Sequence, residues 1–168
     1  MRFLPFDSYT FQSPLVPDQV AGKISEITEP KRFFFPFIIR EKPFHGQVGQ
    51  DSFEITRYLK YRNSYNPVIC GKVQASVGGS MVGIKMHPSP AILISIAIGE
   101  TVLGMFFFST LVTTLSGITQ YPKEMLYIAG GGFIFAYLEM MIAYKIEARK
   151  SKQAMMESLQ AHEVPDAD

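Results

Sequence analysis

One cysteine and three histidines are the whole supply of thiolate and imidazole metal ligands in this chain, and they lie scattered at His45, Cys70, His87 and His162. A structural zinc site wants four such groups at short, regular spacings, so no metal is expected. A single thiol forms no disulfide within the chain. No motif joins Cys70 to His45 or His87, and its neighbours are small and β-branched, which favours a structural thiol over a catalytic one. Phosphate-cradling loops are missing too. Gly78, Gly79 and Ser80 are not followed by the lysine of a Walker A loop, and no dinucleotide fingerprint occurs, so no cofactor is expected. No acid, base and nucleophile stand at a recognisable spacing, which argues against an enzyme. A basic stripe with interleaved recognition motifs is absent, which argues against nucleic acid as a partner. The first residues give way to polar ones after Phe6, unlike a signal peptide.

What the chain does have is two long apolar runs, residues 91–118 and 125–143, separated by a turn-like stretch at 119–124. About 20 apolar residues in a helix span the hydrocarbon core of a bilayer, so the runs predict a transmembrane hairpin and make the lipid bilayer the first expected partner. The turn carries one basic residue, Lys123. The flanks carry Lys72, Lys85 and His87 on one side and Lys145, Arg149, Lys150 and Lys152 on the other. The positive-inside rule then predicts both termini in the cytoplasm, with the first run acting as an internal anchor. Three parts follow: a cytoplasmic domain at 1–89, the hairpin at 90–144, and a cytoplasmic helix with an acidic tail at 145–168. The front part holds eleven Lys and Arg against seven Asp and Glu, a mildly basic balance suited to lying near anionic headgroups.

Within the front part the pattern predicts an α+β fold: a small antiparallel sheet with a short helix. A strand at 9–15 ends at Pro14. Pro17, Asp18 and Gln19 open a helix whose Val20, Ile24 and Ile27 recur at helical spacing as far as Thr28. Strands are expected at 32–39, 44–48 and 52–58, the last two joined by a turn at Gly49, Gln50 and Asp51. A second hairpin pairs 68–76 with 81–86 around Gly78 and Gly79, with Val73 and Ala75 alternating against Lys72 and Gln74. After the second apolar run the helix is expected to continue to about Gln160, with Met155, Met156 and Leu159 available to dock on the sheet. The residues from Glu163 onward read as a frayed acidic tail.

Three groups of residues are candidates for function. Glu100 and Glu139 are ionisable groups within the apolar runs, where a charge is expensive, and an antiparallel hairpin brings them to within about two turns of each other. Facing one another they form a protonatable pair suited to proton or cation handling. Ser95 and Gly99 on the first run, with Gly132 and Ala136 on the second, form a small-residue seam that packs the two helices together or joins two protomers. Gly130, Gly131 and Gly132 offer a point for a kink. Outside the runs, Tyr61, Arg62, Asn63, Ser64 and Tyr65 form the densest polar cluster, either a structural corner or a small anion or headgroup site.

The run from Phe53 through Tyr61, Arg62, Asn63, Ser64 and Tyr65 to Gly71 resembles a pattern in small uncharacterised bacterial membrane proteins, in which a Tyr-Arg-Asn-Ser-aromatic core precedes Pro and Gly. Phe11 to Leu15, Gly78 to Met86 and Glu147 to Lys152 fit the same layout, so the likeness covers most of the chain. The resemblance implies a two-helix architecture and a bacterial inner-membrane setting, and no activity. The expected function is a non-enzymatic binding or assembly module at the cytoplasmic face, with a partner membrane protein or a homo-oligomer as candidate company. The alternative is an oligomeric proton or cation conductor built on Glu100 and Glu139.

Overall fold

The computed structural model describes residues 5–30, 42–59, 65–117 and 123–164, and the chain divides into two units. One contains the residues before Pro90 together with those from Tyr144 onward; the other is Pro90–Ala143.

The first unit is a seven-stranded sheet with helical cover on one face. Its strands are β1 (Asp7–Ser13), β2 (Thr28–Pro30), β3 (Phe44–Val48), β4 (Ser52–Arg57), β5 (Val68–Ser76), β6 (Gly79–His87) and β7 (His162–Val164), arranged in the order β2-β3-β4-β5-β6-β1-β7. All neighbours are antiparallel except β2 and β3. The β5–β6 hairpin turns at Val77 and Gly78, the latter at φ 84°, a left-handed conformation that glycine adopts without steric cost. Gly71 has a different use. The Phe53 ring lies across it, at 2.0 Å from where a Cβ would stand, so a side chain there would displace a core aromatic.

Helix α1 (Pro17–Ile27) begins as the sequence signal requires, with Pro17 in its first turn and the Val16 amide donating to Gln19 Oε1 at 3.4 Å. Val20 and Ile24, one turn apart, are its buried face. Its end is closed by a lysine: Lys42 Nζ donates to the carbonyls of Ser25 at 3.1 Å and Thr28 at 3.2 Å, placing a cation on the negative end of the helix.

The rest of the cover comes from far along the chain. Helix α3 (Lys123–Ser158) is continuous through Gly130, Gly131 and Gly132, and from Tyr144 onward it belongs to the sheet unit. Tyr144, Ala148, Met155 and Leu159 recur at helical spacing and are buried in the same core as Phe11, Ile55, Ile69 and Ile84. Met156 is half-buried beside them, so the docking expected of Met155, Met156 and Leu159 is present. Tyr144 also donates to the Met86 carbonyl at 2.9 Å, and burial, followed by the nearby Asp7 carboxylate, pushes its phenol above the usual range. The hydroxyl therefore stays protonated as a donor. Asp7 itself pairs with Lys145 at 2.6 Å, and the buried Glu147 is met by Lys150 at 3.2 Å and Arg57 at 3.5 Å.

The helix ends in a Schellman turn. Gln160 takes φ 49°, its amide donates to Glu157 at 3.3 Å, and the Ala161 amide donates to Met156 at 3.0 Å. That reversal delivers His162–Val164 to the edge of β1, where Lys152 pairs with Glu163 at 2.7 Å and lies 4.0 Å over the Tyr9 ring. The segment expected as the start of a frayed tail is thus a strand. The short β2 is a second difference from the sequence reading. The expected strand at 32–39 lies outside the described residues.

The second unit comprises α2 (Pro90–Leu115) and the first part of α3. Both helices are long and apolar enough to cross a membrane, by length and composition. They meet at Gly130, where a Cβ would stand 3.1 Å from the Phe107 ring, and at Gly104, 3.8 Å from the Phe133 ring.

Candidate functional site

Alternation along each strand sends one set of side chains into the core shared with α1 and the α3 residues from Tyr144 onward, and the other to the opposite face of the sheet. That opposite face holds a concave groove of about 810 Å³. Cross-strand register builds it in rows. Gln47, Glu54, Cys70, Lys85 and Ser8 are successive partners across β3, β4, β5, β6 and β1. The next row is Ser52, Lys72, Gly83 and Thr10. The floor therefore presents two lysines and one glutamate amid hydroxyl and amide groups, and Gly83 leaves room at its centre, with nothing within 4 Å of a Cβ position there.

Next to this row stands His87, diagonal to Cys70 on the same face because Val68 is its direct partner. Cys70 Sγ and His87 Nε2 are 3.7 Å apart, and His87 Nδ1 lies 2.8 Å from the Pro88 carbonyl oxygen. A carbonyl only accepts, so in the neutral ring the proton sits on Nδ1 and the Nε2 lone pair faces the thiol. A smaller cleft of about 170 Å³, lined by Asp7, Ser8, Lys85 and His87, adjoins the pair. The sequence offered His87 as a partner for Cys70 without a motif to link them; the hairpin turn at Val77 and Gly78 supplies the link, pairing residue 70 with 85 and so setting 87 diagonal to it.

The residues proposed from the sequence are distributed differently. Tyr61, Arg62, Asn63 and Ser64 lie outside the described residues, while Tyr65 is half-buried against the core. Glu100 is half-buried and its Oε2 has no hydrogen-bond partner, whereas Glu139 is exposed. Among the described residues no hydrogen bond or ion pair links them. The contacts at Gly104 and Gly130 set Glu100 level with Tyr137 one turn on, which leaves Glu139 on another side of its helix. Of the seam residues, Gly99 and Gly132 have nothing within 4 Å of a Cβ position, Ser95 is exposed and donates to the Ala91 carbonyl of its own helix, and Ala136 is half-buried. Aromatic rings lie on Gly104 and Gly130, where the two helices meet. No group of three or more metal-ligating side chains occurs among the described residues.

No family model, no curated protein and no solved structure matches this chain.

Proposed function

We propose that the chain is a membrane-anchored, non-enzymatic binding module whose ligand is a small polar molecule carrying negative charge, held in the open groove of the sheet. The two apolar helices serve as the anchor. Their hydroxyls support that role, because Ser95, Thr101, Thr110, Thr113 and Thr114 each donate to a carbonyl of their own helix and so enter hydrocarbon satisfied. The contrast between Lys123 in the connection and Lys145, Arg149, Lys150 and Lys152 beyond the second run supports a cytoplasmic sheet unit. The likeness of the central motif to small bacterial membrane proteins supports an inner-membrane setting.

The observation that carries the reading is the groove: a concavity on whose floor Lys72 and Lys85 occupy adjacent rows, with Glu54 the one carboxylate among the described residues that line it. The test is thermal unfolding of the detergent-solubilised full chain with inorganic phosphate, citrate or adenosine monophosphate. At least one should raise the midpoint, by the equivalent of about 2.7 kcal/mol at a hundredfold excess over Kd. The effect should vanish in the double variant Lys72→Glu, Lys85→Glu. If none of the three stabilises the wild type, or all act equally on the variant, the reading fails.

A further inference from the structure

We propose that the end of the sheet carrying Asp7, Arg57 and His87 is a lipid-contact surface, which rests on the interfacial layer of the bilayer and sends Phe6 and Tyr58 into it. This rests on the reading of the apolar helices as a membrane anchor. It adds which part of the sheet unit meets lipid and which way the strands then run.

Register within the sheet unit defines that end. Asp7 pairs with Met86, His87 with Val68, Val68 with Thr56, and Arg57 with Phe44, so these residues stand together across β1, β6, β5, β4 and β3. Both chain connections to the apolar helices leave from it. Strand β6 stops at His87 and α2 begins at Pro90, three residues on, a span of at most about 11 Å. Tyr144, the first α3 residue of the sheet unit, donates to the Met86 carbonyl at 2.9 Å, and its neighbour Lys145 holds Asp7 at 2.6 Å. From there α3 runs to the other end of the sheet, where Ser13 donates to the Leu159 carbonyl at 2.8 Å. A sheet tied twice, at one end, to segments that enter hydrocarbon keeps that end at the bilayer surface.

The side chains at that end suit such a position. Among the described residues of the sheet unit the exposed aromatic residues are Phe6, at 46 %, and Tyr58, at 36 %. Phe6 directly precedes β1 and Tyr58 directly follows β4, three strands away, so the two stand roughly 14 Å apart on this one end. Aromatic rings, tyrosine in particular, favour the headgroup level, where the ring reaches the acyl boundary and the hydroxyl stays hydrated. That layer is roughly 5–8 Å deep on each side of the hydrocarbon, within reach of a ring projecting from the sheet end. Strand β6 then runs away from the bilayer, and its nine residues carry the turn at Val77 and Gly78 about 30 Å beyond His87. The groove stands upright and opens sideways into the aqueous phase, with Lys85 nearer the lipid than Lys72.

The chain contains no tryptophan, so a single introduced one reports its own surroundings. Four full-length variants, Phe6→Trp, Tyr58→Trp, Val77→Trp and Phe108→Trp, all at exposed positions, are reconstituted in vesicles of phosphatidylcholine and phosphatidylglycerol. Part of the phosphatidylcholine carries bromine near the headgroup end of its acyl chains. Phe6→Trp, Tyr58→Trp and Phe108→Trp should lose emission to the bromolipid, and Val77→Trp should keep its emission and be quenched by aqueous iodide instead. Quenching of Phe108→Trp without quenching at both Phe6→Trp and Tyr58→Trp overturns this inference and leaves the anchor standing. An unquenched Phe108→Trp overturns the anchor and this inference with it. Bromolipid quenching of Val77→Trp overturns the upright placement.

Discussion

In the sheet unit Phe11, Ile55, Ile69 and Leu159 are fully buried, whereas in the helical pair Ile94, Ile98, Phe108 and Phe135 each stand more than 60 % exposed. The residue types are the same and their treatment is opposite. Among the described residues of the helical pair only Thr110, Ala129 and Met140 are buried. Two helices side by side have too little shared surface to hide an apolar circumference, so the outward faces need a solvent as apolar as themselves. The sheet unit supplies its own interior. Periodicity distinguishes the two in α3, where an unbroken apolar run before Tyr144 gives way to a single buried stripe after it.

The largest break in that contrast is expected from core truncation. Leu159→Ala should cost the sheet unit about 2–5 kcal/mol by denaturant unfolding, because the methyls it removes are fully packed. The same change at Ile134, which is 59 % exposed, should leave that transition where it was. A charge reverses the test. Ile134→Arg should reduce membrane insertion by about 2.5–3.5 kcal/mol, read as the fraction of chain recovered with membranes, and again leave the sheet unit's unfolding unmoved. The smallest effect belongs to the residue where the two regimes meet. Tyr144→Phe keeps the ring and loses only the bond to the Met86 carbonyl, so about 0.5–1.5 kcal/mol should disappear from the sheet unit's stability.

Much of the fold was legible because it is local. Strands β3 and β5 begin and end where alternation and turn residues placed them, and α1 starts at Pro17 with its Val20 and Ile24 stripe inward. Met155 and Leu159 were legible as a docking face because their spacing survives in a polar context. What escaped depends on long-range placement. His162–Val164 is a polar segment with no strand signal, made a strand by the Schellman turn at Gln160 and by the vacant edge of β1. Glu147 and Ser151 are polar residues that end up buried, and Glu147 meets Arg57 reaching over from β4. The candidate site divides the same way. Lys72 was recognisable as lying on the wet face of a strand, yet the concavity that gathers it with Glu54, Cys70 and Lys85 comes from five strands in register, and no single window of sequence contains them.

The discontinuity of the sheet unit has a consequence for the order of events during synthesis. Its core needs Tyr144, Ala148, Met155 and Leu159, and the strand that borders β1 on its outer side, β7, is the last of the described elements. Between β6 and these residues the ribosome must make all of Pro90–Ala143. At roughly 5–20 residues per second, the half-covered sheet waits for several seconds while the helical pair is made. During that interval Phe53, Ile55, Ile69 and Ile84 lack the helix that later seals them. A chain stopped short of Tyr144 is left with an open apolar face on its sheet, so the completion of the core is tied to the synthesis of the helical pair that interrupts it.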